Sequence, residues 1–274
     1  MLALYPKRLR LFALLSILLI AVIAALILLN PAANPVVWII LGVFGVLALL
    51  VSESNAAMQD HQRELARLYN QLDAEGFVQD YSRHLQNKTF TQDTAVMVRM
   101  HLSNAYVALG EFDKAAEVLT SYTLKEEKKE EKTLLLRFAM SSNLCYIAEQ
   151  KEDITEAQRR LDDLLQLKAR LEKLQEGKPA QKRMSFSTDL NEQCLRLLKD
   201  GHADIELLKN TVQAGNREVL PRVTTSLWIA RAYLADNQRR EAEKLFRRIV
   251  ELAPALHPGK EAARILATLP ENSD

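Results

Sequence analysis

Several residue types are scarce in this 274-residue chain, and each scarcity narrows what the protein can be. Glycine and proline occur eight times each and aromatic residues make up only 6% of the chain, a composition that favours helix over sheet. The two cysteines, Cys145 and Cys194, are too few for a disulfide framework and lack the spacing of a metal site. The net charge is only +1, without the clustered basic excess of a domain that binds nucleic acid. We therefore expect an all-α protein that binds no nucleic acid.

Charged residues are missing from two long apolar runs near the N-terminus, residues 11–29 and 36–51. As a helix that rises about 1.5 Å per residue, the first run spans roughly 28 Å, close to the thickness of a bilayer's hydrocarbon core. Prolines bracket the short segment between the two runs, which predicts a chain reversal and hence a transmembrane hairpin. The alternative is a cleaved signal peptide followed by one span, although the first run is longer than the apolar part of an ordinary signal peptide.

The basic residues before the first run, Lys7, Arg8 and Arg10, place the N-terminus in the cytoplasm by the positive-inside rule. Two spans return the chain to the same side, so we expect residues 1–54 to anchor the protein in the cell (inner or plasma) membrane and residues 55–274 to be cytoplasmic. Neither run contains an ionisable residue, which argues against a channel, pump or transporter. Small residues in both runs predict close packing inside the hairpin or, as the alternative, a homo-oligomer; they are Ala21, Ala25, Gly42, Gly45 and Ala48.

The rest of the chain alternates helical patterns with short breaks, and Gly76 and Gly110 lie 34 residues apart between paired helices. Two segments, NAYVALGEFDKAAEVL and LWIARAYLADNQRREAEKLFRRIVELAP, resemble the tetratricopeptide repeat (TPR) family. The positions that match the family pattern are Tyr106, Gly110, Phe112, Ala115 and Leu119 in the first segment and Ala230, Tyr233, Ala242, Phe246 and Pro254 in the second. The resemblance implies an α-solenoid of stacked helix pairs and, together with the hairpin, a membrane-anchored repeat protein of bacterial type.

The pattern is irregular between the two matches. Residues 142–165 look like a degenerate repeat, and their second helix continues to Leu174. Residues 176–187 combine glycine, proline and basic residues and predict an exposed loop. The mixed charge run at 125–132 predicts the solvated start of a helix.

In a solenoid of stacked helix pairs, the first helix of each pair lines a concave groove suited to a peptide or a partner helix. The resemblance places Arg99, His101 and Asn104 on that groove in one repeat. It places Trp228 and Arg231 there in the last repeat. For Trp228 the alternative is packing against the C-terminal helix, residues 260–269.

The sequence contains no pattern that supports catalysis. Its five histidines are scattered, and it has no HExxH, no phosphate-binding glycine loop and no GxSxG. We therefore predict no enzymatic activity, no cofactor and no metal, and one or more protein partners. The predicted function is that of a membrane-tethered protein–protein interaction scaffold or adaptor. The alternative is a structural or accessory subunit of a larger membrane complex.

Overall fold

The computed structural model is all-α across the residues that it describes, which are 2–30, 34–86, 90–125, 130–174, 179–215 and 218–270. Within these residues it has no β-strand. The helices are α1 (Pro6–Leu29), α2 (Pro35–Tyr69), α3 (Ala74–Tyr81), α4 (Gln92–Leu109), α5 (Phe112–Thr120), α6 (Glu130–Gln150), α7 (Ile154–Leu174), α8 (Pro179–Asp200), α9 (Ile205–Gly215), α10 (Val219–Ala235), α11 (Arg239–Leu252) and α12 (His257–Thr268). The chain divides into two compact units, Met1–Leu65 with Gln86–Phe90, and Ala66–Leu85 with Thr91–Asp274.

Helices α1 and α2 contain the two predicted apolar runs, and both are long and apolar enough to span a membrane. Their large side chains point outward: Ile17, Leu28 and Phe44 are 68%, 81% and 66% exposed. An apolar surface of this extent marks contact with a membrane or with another protein. The predicted turn between the runs includes residues 31–33, which lie outside the described residues.

Two glycines allow α1 and α2 to pack against each other. A Cβ atom added to Gly42 would lie 2.7 Å from Cδ1 of Ile23, and one added to Gly45 would lie 2.6 Å from Cδ2 of Leu19. Side chains of α1 therefore occupy the space that a side chain on α2 would need. Gly42 and Gly45 thus allow the close packing inside the hairpin that was predicted from the small residues of the two runs.

Polar contacts hold the start of α1 against the part of α2 that follows the second apolar run. Arg8 Nε donates to Asp60 at 2.6 Å, and Arg8 also pairs with Glu53 at 3.4 Å. The Tyr5 hydroxyl donates to Glu64 at 2.8 Å. These contacts lie within the first unit, which continues along α2 to Leu65.

The second unit contains four successive helix pairs, α4–α5, α6–α7, α8–α9 and α10–α11. Each pair reverses at one residue with positive φ: Gly110 (81°), Glu152 (56°), Gly201 (67°) and Asn237 (60°). Left-handed backbone after a helix is common at such turns, and glycine and asparagine adopt it at least cost. Asn237 thus takes the conformation expected of an asparagine that replaces a turn glycine.

The two segments that resemble TPR repeats fold as α4–α5 and α10–α11. Their small residues, Ala115 and Ala242, are fully buried, as is Phe246. In α4 the Ser103 hydroxyl donates to the backbone oxygen of Ala115 in α5 at 3.0 Å, so the two helices approach closely at that alanine.

The last helix closes this unit, because α12 packs against α10, α11 and the distant α4. The ring of His257, the first residue of α12, meets the ring of Phe112 edge to face at a centroid distance of 5.0 Å. A Cβ atom on Gly110 would lie 3.2 Å from His257 Nδ1. The second unit therefore brings its last helix back to its first helix pair.

The prediction of an exposed loop over residues 176–187 is wrong from residue 179 onward. Helix α8 begins at Pro179, and Met184 is 3% exposed in the core. Proline fits the first position of a helix because that residue has no intrahelical partner for an N–H. Residues 175–178, like residues 126–129 of the charge run, lie outside the described residues, and α6 begins just after that run at Glu130.

Candidate ligand cavity

The first helices of the four pairs surround a cavity of about 220 Å³. Each of α4, α6, α8 and α10 contributes side chains to its lining, together with Tyr69 at the end of α2. The described lining residues are Tyr69, Asn104, Val107, Ser142, Asn143, Tyr146, Ser187, Leu190, Asn191, Leu220, Pro221, Thr224 and Thr225. None of these side chains is charged at neutral pH. The cavity combines amides and hydroxyls with aliphatic walls.

The first helix of each of three successive pairs contains an asparagine that lines the cavity: Asn104 in α4, Asn143 in α6 and Asn191 in α8. Asn143 Nδ2 donates to Asn104 Oδ1 at 3.1 Å, which joins the first two. Asn191 Nδ2 donates to the Ser142 hydroxyl at 3.2 Å and to the Ser187 backbone oxygen at 3.0 Å. The side chains of Ser142 and Ser187 are also hydrogen-bonded to each other.

Asn191 is 2% exposed, and its Oδ1 atom has no hydrogen-bond partner. Its amide orientation is fixed, because Nδ2 already donates twice. A buried acceptor without a donor is costly, by about 1–3 kcal/mol, so Asn191 Oδ1 favours any group that can donate a hydrogen bond to it.

Two of the predicted groove residues, His101 and Asn104, contact the hydroxyl group of Tyr69, a residue of the cavity lining. His101 Nδ1 lies 2.7 Å from the Tyr69 hydroxyl, and Asn104 Nδ2 donates to the same hydroxyl at 2.9 Å. Of these three residues, Asn104 and Tyr69 line the cavity, and His101 lies behind them. His101 is a half-buried, hydrogen-bonded side chain that holds Tyr69 in place.

Arg99 lies apart from the cavity, although it belongs to the same helix. Its guanidinium group stacks over the Tyr122 ring at 4.4 Å from the centroid and donates to the Ala95 backbone oxygen at 3.0 Å. Burial lowers the pKa of Arg99. These contacts connect α4 to the chain that follows α5.

Trp228 is a core residue, because only 1% of it is exposed, and its predicted place on a groove surface is wrong. Trp228 lies in a cluster of buried residues from α8 to α10 that includes Cys194, Leu197 and Leu208. Trp228 lies on α10, and its indole packs against the neighbouring pair, α8–α9.

Arg231 is an ion-paired residue that stacks on Trp228, with its guanidinium carbon 5.2 Å from the ring centroid. It pairs with Glu261 of α12 at 2.7 Å and with Glu152 of the α6–α7 turn at 3.2 Å. Hydrogen bonds from Arg264 and Arg231 lower the pKa of Glu261 to about 2. Arg231 thus fastens the closing helix to the array.

A second buried polar group lies in α6, outside the cavity lining. Glu149 is fully buried, and Cys145 Sγ donates to its Oε1 atom at 3.3 Å. Burial raises the pKa of Glu149 well above its ordinary value. Burial and the neighbouring Glu149 also raise the pKa of the Cys145 thiol, and burial raises that of Cys194. These are the properties of structural thiols and not of reactive ones.

Among the described residues, no group of three His, Cys, Asp or Glu side chains is arranged to hold a metal ion. No protein-family model, no curated protein and no solved structure matches this chain. Among the polar residues of the cavity, sequence patterns did not single out Tyr69, Ser142, Asn143, Ser187, Asn191, Thr224 and Thr225. Apart from Tyr69 they lie on the first helices of successive pairs and line one cavity, which is visible only once the helix register is known.

Proposed function

We propose that this protein is a membrane-tethered scaffold or adaptor that holds a protein partner on a TPR-like array of helix pairs. In this proposal α1 and α2 cross the cell membrane as a hairpin. The N-terminus and residues 55–274 then lie in the cytoplasm.

The membrane part of the proposal is supported by the surface of α1 and α2. Large apolar side chains face outward on both helices, and the start of α1 is paired with α2 beyond its apolar run. Because the two ends of the hairpin meet on one side, their charged residues stay outside the hydrocarbon core of the bilayer. Lys7 and Arg10 add positive charge at that end, which favours the cytoplasmic side.

The binding part of the proposal is supported by one observation above the others, the cavity built by the first helices of all four pairs. A concave site lined by few polar groups and aliphatic walls is the usual form of a binding site. Its fully buried acceptor, Asn191 Oδ1, gives it a group that a partner can satisfy.

A second candidate is an accessory subunit of a larger membrane complex. It is favoured by the small residues that do not pack inside the hairpin: Ala21, Ala25 and Ala48 are all exposed. Small residues on a lipid-facing surface allow another membrane helix to approach closely. The same surface serves a homo-oligomer.

Site-specific photocrosslinking in living cells separates these functions. A photoreactive amino acid replaces Pro221 at the cavity, Ala25 on the hairpin, or Asn210 on the exposed side of α9 as the control. The scaffold predicts a crosslinked protein from the Pro221 position and none from Asn210. The accessory subunit predicts a crosslinked membrane protein from Ala25 alone. Absence of a crosslink from Pro221, with the full-length chain folded and in the membrane, would contradict the scaffold.

A further inference from the structure

The form of the ligand follows from the groups that it must offer to the lining. In a helical segment the main-chain N–H groups are already paired within the helix, whereas an extended segment keeps them free. The cavity, of about 220 Å³, suits a short extended segment.

Charge complementarity bears on the chemistry of that segment. The described lining presents amides and hydroxyls without a charged side chain. A free carboxylate, phosphate or ammonium group would lose its water there without gaining an opposite charge, at a cost of several kcal/mol. Glu218, which directly precedes α10, is half-buried, and burial raises its pKa, so this neighbour also favours a neutral environment.

The amides match the peptide group, since each offers one carbonyl acceptor and an N–H donor in a fixed plane. Asn191 Oδ1 is an acceptor without a donor. Asn143, which is half-buried, uses Nδ2 to donate to Asn104 and lines the cavity with its amide. Asn191 Oδ1 therefore awaits a donor, and a peptide main chain carries an N–H group at every residue except proline.

We propose that this cavity binds the main chain of an uncharged, extended segment of a protein partner, with small aliphatic side chains against Val107, Leu190 and Leu220. The inference rests on the proposed function and names the chemistry of the ligand for the same site. Main-chain N–H groups of the segment donate to Asn143 and Asn191. The segment enters with neutral side chains, and the lining rejects Asp, Glu, Lys and Arg.

The test uses the full-length protein in lipid nanodiscs and two pools of end-capped hexapeptides. One pool contains only Ala, Val, Ser and Thr, and the other has a central Asp or Lys in the same sequences. Retention is measured by mass spectrometry, and dissociation constants of the best peptides by fluorescence anisotropy. Variants are Asn143→Ala, the near-isosteric Thr224→Val as a second cavity change, and Asn210→Ala as an exposed asparagine control.

We expect retention of the uncharged pool and binding about tenfold weaker in Asn143→Ala, because one hydrogen bond to the ligand is lost. Asn210→Ala should bind as the parent does. Three results would overturn the inference: retention of neither pool, preference for the charged pool, or equal binding by the parent and both cavity variants. Competition by a neutral sugar such as maltose, with no peptide retained, would overturn it as well.

The photocrosslinking experiment distinguishes this failure from a failure of the proposed function. A protein crosslinked from the Pro221 position, together with no peptide retention, leaves the scaffold standing and removes the main-chain ligand. No crosslink and no retention removes both.

Discussion

The buried carboxyl group of Glu149 makes the stability of the protein depend on pH in a way that one substitution removes. Burial raises its pKa, so the folded protein keeps this proton at pH values where the unfolded chain, with a pKa near 4.3, has released it. Folding then binds a proton. The free energy of unfolding contributed by Glu149 is fully present below pH 4.3 and is lost as pH rises toward the folded pKa.

The magnitude follows from linkage. Each pH unit between the unfolded and folded pKa values lowers the free energy of unfolding by about 1.4 kcal/mol. Glu149→Gln keeps the shape and the hydrogen-bonding capacity toward Cys145 but has no proton to lose. The stability of the variant relative to the parent should therefore increase from pH 4.5 to pH 6.5, by at most about 1.4 kcal/mol per pH unit.

The assay is urea unfolding of the full chain in detergent micelles at pH 4.5 and 6.5, followed by the fluorescence of its tryptophans, of which Trp228 is buried. The control is Glu117→Gln, an exposed carboxyl in α5. Burial lowers the pKa of His257, which gives the opposite trend, but this contribution is the same in all three proteins and cancels in the difference. A difference between Glu149→Gln and the parent that stays constant with pH would refute the reasoning.

Three more predictions concern packing and orientation. Ala242→Leu should destabilise the chain by about 1–3 kcal/mol through overpacking, while the exposed Ala263→Leu should not; equal urea midpoints would disprove the close contact. Gly45→Ile should lower the thermal stability of the hairpin by displacing Leu19, and Gly45→Ala should change it little, since one methyl group displaces only a flexible side-chain end. In intact cells an impermeant thiol reagent should label Asn34→Cys and spare Ala263→Cys, with no background from the fully buried native thiols; labelling of Ala263→Cys would reverse the orientation.

The sequence was sufficient for features that local patterns determine. Two charge-free runs predicted α1 and α2. The turn residues Gly110 and Asn237, each followed by a small residue that is buried (Ala115 and Ala242), predicted the pairs α4–α5 and α10–α11. The left-handed turn at Glu152 had no such signal, because a glutamate seldom adopts positive φ and tertiary packing imposes it there.

Surface placement was less predictable than helix formation. A repeat pattern locates Trp228 on an inner helix, but it does not say which side of that helix faces the neighbouring pair, and the indole faces the core. The repeat resemblance placed Arg231 on the groove, whereas two carboxylates from distant parts of the chain pair with it. The cavity asparagines required the spatial register of three helices.

The contact between α12 and α4 has a consequence for how many pairs the array can contain. An open solenoid gains or loses a repeat at modest cost, because each repeat touches only its neighbours. Here the ring of His257 must reach the turn at Gly110, so removal of one pair would separate the two ends. Closure fixes the number of pairs and favours unfolding as one cooperative body rather than from the ends. For the proposed function closure also predicts a stoichiometry of one bound segment per chain, because each chain encloses one cavity of this kind.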